Sequence, residues 1–321
     1  MSVFEVPAFI SAPSQLVDEY AGRRLSRRAA SGELVRVRRG LYLPTDQWRA
    51  FTSWEKFRVN IQAVHETAAG SPVFARQSAA QILGLPLIRI PPLVQTVIPP
   101  GQGGGRSSNG VHRIMGVRGD PEPWLVDGLL TTPPVQTARD LAVHLPLAHA
   151  LVAMDRLLGS APLSGTDQNG ASTFTRQDVT DSLELLPNAT QQRRVERVLT
   201  LASPLAGSAG ESLSRAIMIE NGFPAPVLQQ RFEDARGLIG YPDFTWEEYK
   251  VVGEFDGHEK YSQQRYLRGR TPSEVVIAEK NRENRLRALG FNVVRWEWAD
   301  LLSPERLIRL LHDAGLPHSV R

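Results

Sequence analysis

The spacing of apolar and polar positions divides the chain into recognisable pieces. The opening reads as helix, helix, hairpin. SAPSQLVDEYAG offers Ser11 and Pro13 as a start signal and Gly22 as a stop, and RRLSRRAASG forms a second short helix ended by Gly32. LVRVRRGLYLP then alternates, with Leu34, Arg36 and Arg38 on one side of a strand and Val35, Val37 and Arg39 on the other; Gly40 falls at the turn or bulge. Between Ser53 and Ala69, Trp54, Phe57, Ile61 and Val64 share one face of a helix, the spacing of a core-facing stripe.

A second region follows, in which SAAQILGLPL is a helix with its stop and LVQTVIPP an apolar strand. GQGGGRSSNG lacks the Gly-Lys-Ser/Thr ending of a nucleotide-binding loop and reads as a hairpin tip. LLTTPPVQTARDLAVHLPLAHALVAMDRLLG gives a strand, a Thr/Pro break and one or two amphipathic helices. GSAPLSGTDQNGASTF, residues 159–174, is the most loop-like stretch and the expected linker. The division is therefore 1–70, 71–158, a linker with helices over 159–204, and a last domain over 205–321.

Composition narrows the setting. No stretch of this 321-residue chain approaches the roughly 20 apolar residues of a membrane-spanning helix. The opening residues carry no basic segment followed by an apolar one, and there is no cysteine, so a reducing cytoplasm is the expected location. The formal charge is only +3, yet Arg23, Arg24, Arg27, Arg28, Arg36, Arg38 and Arg39 cluster with Glu33 as the sole carboxylate among them, and the isoelectric point is near 9.4. Such a block on a helix and a following hairpin suits a winged helix that places its second helix in the major groove and its wing along the phosphates. A solvated basic surface is the other reading of a charge run.

Two family resemblances extend this reading. VRVRRGLYLP, ARQSAAQILGLPL and LLTTPPVQTARDLAVHLPLAHALVAMD together resemble the N-terminal and central parts of AbiEi-type antitoxins of type IV toxin–antitoxin systems, over roughly residues 10–160. That resemblance implies a winged-helix domain that binds promoter DNA and a possible cognate toxin as partner. The last 115 or so residues resemble the PD-(D/E)XK superfamily in its very-short-patch-repair-endonuclease-like branch, through GESLSR (210–215), YPDFTW (241–246), VVGEFDGHEKY (251–261) and AEKNRENRLRALGFNVVRWEWADL (278–301). It implies a restriction-endonuclease-like mixed sheet flanked by helices, with a metal site at the sheet's edge. The fold class expected is thus α+β and multidomain: an N-terminal winged helix, a central α/β region and a nuclease-like C-terminal domain.

Phosphodiester hydrolysis needs a divalent cation to offset developing charge and to activate water, and Mg²⁺ or Mn²⁺ takes oxygen ligands. LIGYPDFTW and KVVGEFDG read as two strands joined by the polar turn EEY. With the turn centred between Glu247 and Glu248, Asp243 pairs with Val252 and lies diagonal to Glu254; Glu254 and Asp256, two apart, project to that same face. Three carboxylates on one side of a hairpin repel one another unless a cation neutralises them. Asp243, Glu254 and Glu211, the last at the start of the helix ESLSRAIMIEN, are the expected metal ligands. The family's third motif ends Glu-x-Lys, but here Glu254-Phe255-Asp256 leaves the lysine position vacant. Lys260 or Lys280 could supply that charge. His258 stands beside glycine in the same loop, where a base, a phosphate contact or a bystander are all open readings. Lys280, Arg282, Arg285 and Arg287 give the following helix a basic surface for a DNA backbone; alternatively, Glu279 and Glu283 pair with its arginines.

Two functions from different classes follow: a DNA endonuclease whose N-terminal module holds double-stranded DNA, and a non-enzymatic regulator or antitoxin that keeps the nuclease fold as a scaffold. Cleavage of RNA by the last domain is a third. Glu211, Asp243 and Glu254 favour the first, Asp256 and the antitoxin-like N-terminus the second.

Overall fold

The computed structural model describes residues 4–11, 20–101, 109–164, 173–257 and 272–319. Over these the chain is mixed α+β, and it divides into two compact units: Met1–His144 with Pro162–Arg193, and Leu145–Ala161 with Arg194–Arg321. No helix among the described residues is long and apolar enough to cross a membrane.

The first unit opens with β1 (Ile10–Ser11), α1 (Ala21–Ala30), β2 (Leu34–Arg38) and β3 (Leu41–Pro44), the strands forming an antiparallel sheet in the order β1-β3-β2. Leu25 of α1 packs on Leu34 and Tyr42 of the hairpin, with Ile10 and Ala29 at the margin. Gly22 does not stop a helix; it lies in the first turn of α1. Ser11, expected to open a helix, pairs instead with Leu41, while residues 12–19 of that expected helix lie outside the described residues. The hairpin forms as expected: Arg36 faces Tyr42, a bulge follows before Arg38, and Gly40 turns at φ +85°.

Next come α2 (Thr45–Ala50) and α3 (Ser53–Thr67), whose N-terminus is closed by a reciprocal capping box between Thr52 and Glu55. Phe57, Ile61 and Val64 are buried on α3 as the spacing predicts, joined by Val59 and Ala63. A five-stranded sheet, in the order β6-β5-β4-β8-β7, comprises β4 (Val73–Phe74), β5 (Val94–Ile98), β6 (Val111–Met115), β7 (Trp124–Val126) and β8 (Leu129–Thr131). Also in this unit are α4 (Arg76–Leu83) and α5 (Pro134–His144). The glycine-rich segment is not a hairpin tip, because β5 and β6 run parallel, Val94 beside Val111 through Ile98 beside Met115. A parallel return must run back along strands of roughly 17 Å, and a dozen connecting residues reach that far. Its residues 102–108 lie outside the described set.

The second unit takes α6 (Leu147–Leu158) from the region that the pattern assigned to the centre of the chain. The reason is a buried ion pair. Arg215 of α9 (Ala209–Glu220) donates to both oxygens of Asp155 at 2.8 and 2.7 Å, and the Ser203 amide also donates to Asp155. Residues 162–164 and 173–193 go with the first unit, including α7 (Arg176–Asp181), and the boundary falls inside α8 (Ala189–Leu201). The linker expected over 159–174 is thus not a simple divide between the units.

After α9 the chain forms a four-stranded sheet, in the order β14-β13-β12-β9, from β9 (Val227–Leu228), β12 (Phe244–Trp246), β13 (Val251–Phe255) and β14 (Asn292–Trp296). Neighbours are antiparallel except β13 and β14, which are parallel. A separate hairpin holds β10 (Phe232–Asp234) and β11 (Gly237–Gly240). LIGYPDFTW is therefore two strands in two sheets; Gly240 at φ +150° and Pro242, which has no amide to donate, break the ladder between them. α9 covers one face of the four-stranded sheet, where Ser214 accepts from Trp296 Nε1 at 2.7 Å and Gly210 lies against the Phe255 ring. A side chain at Gly210 would overlap that ring, so glycine sets how closely α9 approaches. On the opposite face Leu286 of α10 (Pro272–Ala288) packs with Val252, Phe232, Ile239 and Phe291. Short α11 (Trp298–Leu301) and α12 (Pro304–Asp313) complete the unit, α12 burying Leu307 and Leu311.

Candidate functional site

Two charged regions carry the candidate chemistry. In the first unit, α1 turns Ala21 and Leu25 inward, which its sequence requires once Leu25 meets the hairpin. Arg23, Arg24, Arg27 and Arg28 are all exposed on the remaining face, and α1 contains no carboxylate. Arg28 reaches Glu33 at 2.5 Å across the helix–strand turn, and the Arg23 guanidinium lies 6.0 Å from the centre of the Tyr20 ring. Arg36 and Arg39 are exposed on the hairpin. Arg38 differs from them. Its Nε donates to Thr67 at the end of α3 and its Nη1 to the carbonyl of Asn109, at 2.5 and 2.6 Å. Burial, and then the nearby Arg113, hold its pKa below the usual arginine value. It fastens the hairpin to the rest of the unit.

In the second unit the expected acidic residues lie at one end of the four-stranded sheet. Ser208 caps α9 by accepting from the Glu211 amide, and Glu211 returns across the cap, accepting from Ser208 Oγ at 2.9 Å and from the Gly207 amide at 2.8 Å. Asp243 immediately precedes β12, and one oxygen accepts from the Phe255 amide at 2.9 Å. The strand register differs by two from that expected. Phe244 faces Gly253, so the same ladder carried one residue further sets Asp243 opposite Glu254 rather than diagonal to it. The turn is longer than EEY: Lys250 adopts φ +52° and its amide closes on Glu247, which makes the turn four residues, Glu247–Lys250.

Gln229, which no motif singled out, connects two of the acids. Its side-chain amide lies 3.1 Å from Asp243 Oδ1 and 3.5 Å from Glu211 Oε2. Glu254 is engaged elsewhere. It is buried at 8% exposure; Arg282 binds one oxygen and Arg295 the other, the latter at 3.1 Å. Burial raises the Glu254 pKa, and the two guanidinium groups oppose that shift. The pair belongs to a larger network in which Arg282 and Arg295 also bind Glu279, and Arg295 reaches Glu283 at 3.4 Å. Burial pushes Glu279 up, but the hydrogen bonds from Arg282 and Arg295 outweigh it and leave its pKa lowered. Arg285 holds Asp234 at 2.6 Å and Arg287 holds Glu283 at 2.7 Å.

The alternative in which α10 arginines pair with carboxylates is therefore the one observed, and Arg282, expected as a phosphate contact, holds Glu254 instead. Lys280 is exposed and Asp256 half-buried, its amide donating to the Trp296 carbonyl. His258 and Lys260 lie outside the described residues. Arg295 had a signal in the sequence: a cation in an otherwise apolar strand, which the parallel register sets beside Glu254. Gln229 had none.

Among the described residues no three His, Asp or Glu side chains are grouped to hold a metal. The donor set of Mg²⁺ or Mn²⁺ does not fit the arrangement. Both Glu254 oxygens face guanidinium groups, and an amide donor stands between Glu211 and Asp243.

No family model matches the chain. It is 28% identical over 186 residues to two uncharacterized proteins of Mycobacterium tuberculosis, MT2308 of strain CDC 1551 / Oshkosh and Rv2248 of strain ATCC 25618 / H37Rv. Each match covers 57% of this chain and 59% of the relative, so this chain spans less than two thirds of the relatives' length. The crystal structure of the RV2827C protein from the same species aligns with 67% of this chain and 77% of its own, at 15% identity and a TM-score of 0.36.

Proposed function

We propose that this protein binds double-stranded DNA through the arginine face of α1 and the adjoining β2–β3 hairpin, which act together as a winged-helix module. One observation carries the reading: α1 buries its apolar side in the hairpin and keeps Arg23, Arg24, Arg27 and Arg28 exposed on a helix with no carboxylate of its own, Glu33 pairing with Arg28. Such a surface exchanges condensed counterions for arginine–phosphate contacts. Arg36 and Arg39 extend it along the hairpin.

The second unit is proposed to be a domain of the PD-(D/E)XK type. A helix, antiparallel strands, a second helix and a last strand parallel to its neighbour support that reading, as do Glu211 and Asp243 within reach of one amide. Of the two functions open for such a domain, the catalytically silent scaffold is favoured, because Arg282 and Arg295 hold Glu254 and no lysine follows it two residues on. The protein is then a DNA-binding regulator of the antitoxin type, with a cognate toxin as its candidate partner. Metal-dependent cleavage of DNA is the competing function.

The test is an anisotropy titration of a labelled duplex with the full chain and with Arg23, Arg24, Arg27 and Arg28 all replaced by alanine, run beside incubation of supercoiled DNA with Mg²⁺ or Mn²⁺. Binding that is lost in the variant, without cleavage by either protein, is the expected result. Equal affinity of the two proteins would remove the interface. Metal-dependent nicking that disappears in Asp243→Asn would replace the scaffold by the nuclease.

A further inference from the structure

We infer that Gln229 is a built-in occupant of the acidic pair: its side-chain amide stands between Glu211 and Asp243 and bridges them by hydrogen bonds in the place a bound cation would take. The inference rests on the silent-scaffold reading and gives it a residue-level cause.

Three observations converge. The amide lies within hydrogen-bonding distance of one oxygen from each carboxylate, 3.1 Å to Asp243 and 3.5 Å to Glu211. The oxygens that face it are acceptors, and the group set between them is the NH₂ end of the amide, which has two hydrogens to give. Among the described residues, further donors reach the same pair: Gly207 N and Ser208 Oγ on Glu211, Phe255 N on Asp243. Finally, Gln229 adopts φ +49°, a left-handed conformation uncommon for a side chain of this kind. Backbone strain persists where surrounding structure imposes it. Here it accompanies a side chain aimed at both acids from the end of β9, while the Gln229 amide nitrogen lies 3.4 Å from the Asp243 carbonyl. Glu254, across the strand from Asp243, is neutralised separately by Arg282 and Arg295. The acids are thus satisfied from within the chain, by one amide on one side and two guanidinium groups on the other.

Removing the amide should expose Glu211 and Asp243 to each other and create a demand for a cation. Gln229→Gly and Gln229→Asn suit the test, because glycine and asparagine accept the left-handed backbone and neither reaches both carboxylates. Melting temperature is measured on the full chain with and without millimolar Mn²⁺, together with Mn²⁺ binding by electron paramagnetic resonance. The expected result is a wild type whose melting temperature Mn²⁺ leaves unchanged, and variants that melt several degrees lower and recover most of that loss with Mn²⁺ while binding about one ion each. Variants that stay folded and gain neither binding nor stabilisation would overturn the role of Gln229 yet leave the silent scaffold standing. So would variants that fail to fold with or without the ion. A wild type already stabilised by Mn²⁺ would overturn both.

Discussion

Two arginine-rich helices, α1 and α10, put their charge to opposite uses. α1 shows Arg23, Arg24, Arg27 and Arg28 on an exposed face and has no carboxylate of its own, although Asp18 and Glu19 precede it in sequence and Arg28 pairs with Glu33 across the following turn. α10 carries Arg282, Arg285 and Arg287, and each is bound to carboxylates: Glu254 and Glu279, Asp234, and Glu283. Both helices look like phosphate-binding surfaces when cations are counted along the sequence. Carboxylates that the fold delivers from elsewhere separate them. Glu254 arrives on β13 and Asp234 on β10, 28 and 51 residues away from their partners in the chain. The arginine charge of α10 is paired inside its own domain, where it fastens the helix to the sheet, whereas Arg23, Arg24 and Arg27 of α1 face outward.

The largest effect expected from breaking this contrast is in the α10 network. Glu254→Gln removes the charge that Arg282 and Arg295 share, and breaking a buried ion pair from one side costs roughly 3–5 kcal/mol. Denaturant unfolding should show that loss with DNA affinity intact. A variant as stable as wild type would mean that the arginines do not depend on Glu254.

Acid sharpens the contrast next. The hydrogen bond from Arg285 holds the Asp234 pKa at about 2. An unfolded aspartate titrates near 4, so this pair stabilises the fold fully above about pH 4 and loses that contribution as pH falls toward about 2. Asp234→Asn should flatten that part of the stability–pH curve, measured by melting at stepped pH. An unaltered curve would show that the pair contributes nothing to acid sensitivity.

Within the N-terminal block itself, Arg38 and Arg36 should part. Arg38→Ala removes two hydrogen bonds to Thr67 and Asn109 and should cost about 1–2 kcal/mol of stability. Arg36→Ala, at an exposed position, should leave the melting temperature unchanged and weaken DNA binding. The reverse assignment would mean that the hairpin meets DNA through its bulge.

Much of the architecture was legible because local rules govern it. The short helix before Gly32, the β2–β3 hairpin, the α3 stripe and the start of α9 all act over a few residues, and the structure follows them apart from a bulge before Arg38. Errors arose where a distant residue or a longer turn decides. The parallel pairing of β5 with β6 depends on the route of a whole connection, and the position of Asp243 on a turn that runs to Lys250 and so shifts its centre. The acidic positions of the candidate site could be listed from their motifs. Their partners were harder to read: Gln229, 14 residues from Asp243, acts by spatial placement alone, and Arg295, 41 residues from Glu254, shows in the sequence only as a cation in an apolar strand.

The most direct test of the central claim, that α1 and not α10 faces the phosphates, is the slope of log affinity for duplex DNA against log salt concentration. Each arginine–phosphate contact contributes roughly 0.9 to that slope. Replacing Arg23, Arg24, Arg27 and Arg28 by alanine should therefore lower it by about 3 to 4 units. Lys280→Ala combined with Arg287→Ala should leave it unchanged. A slope that survives the α1 replacements and falls with those on α10 would contradict the account.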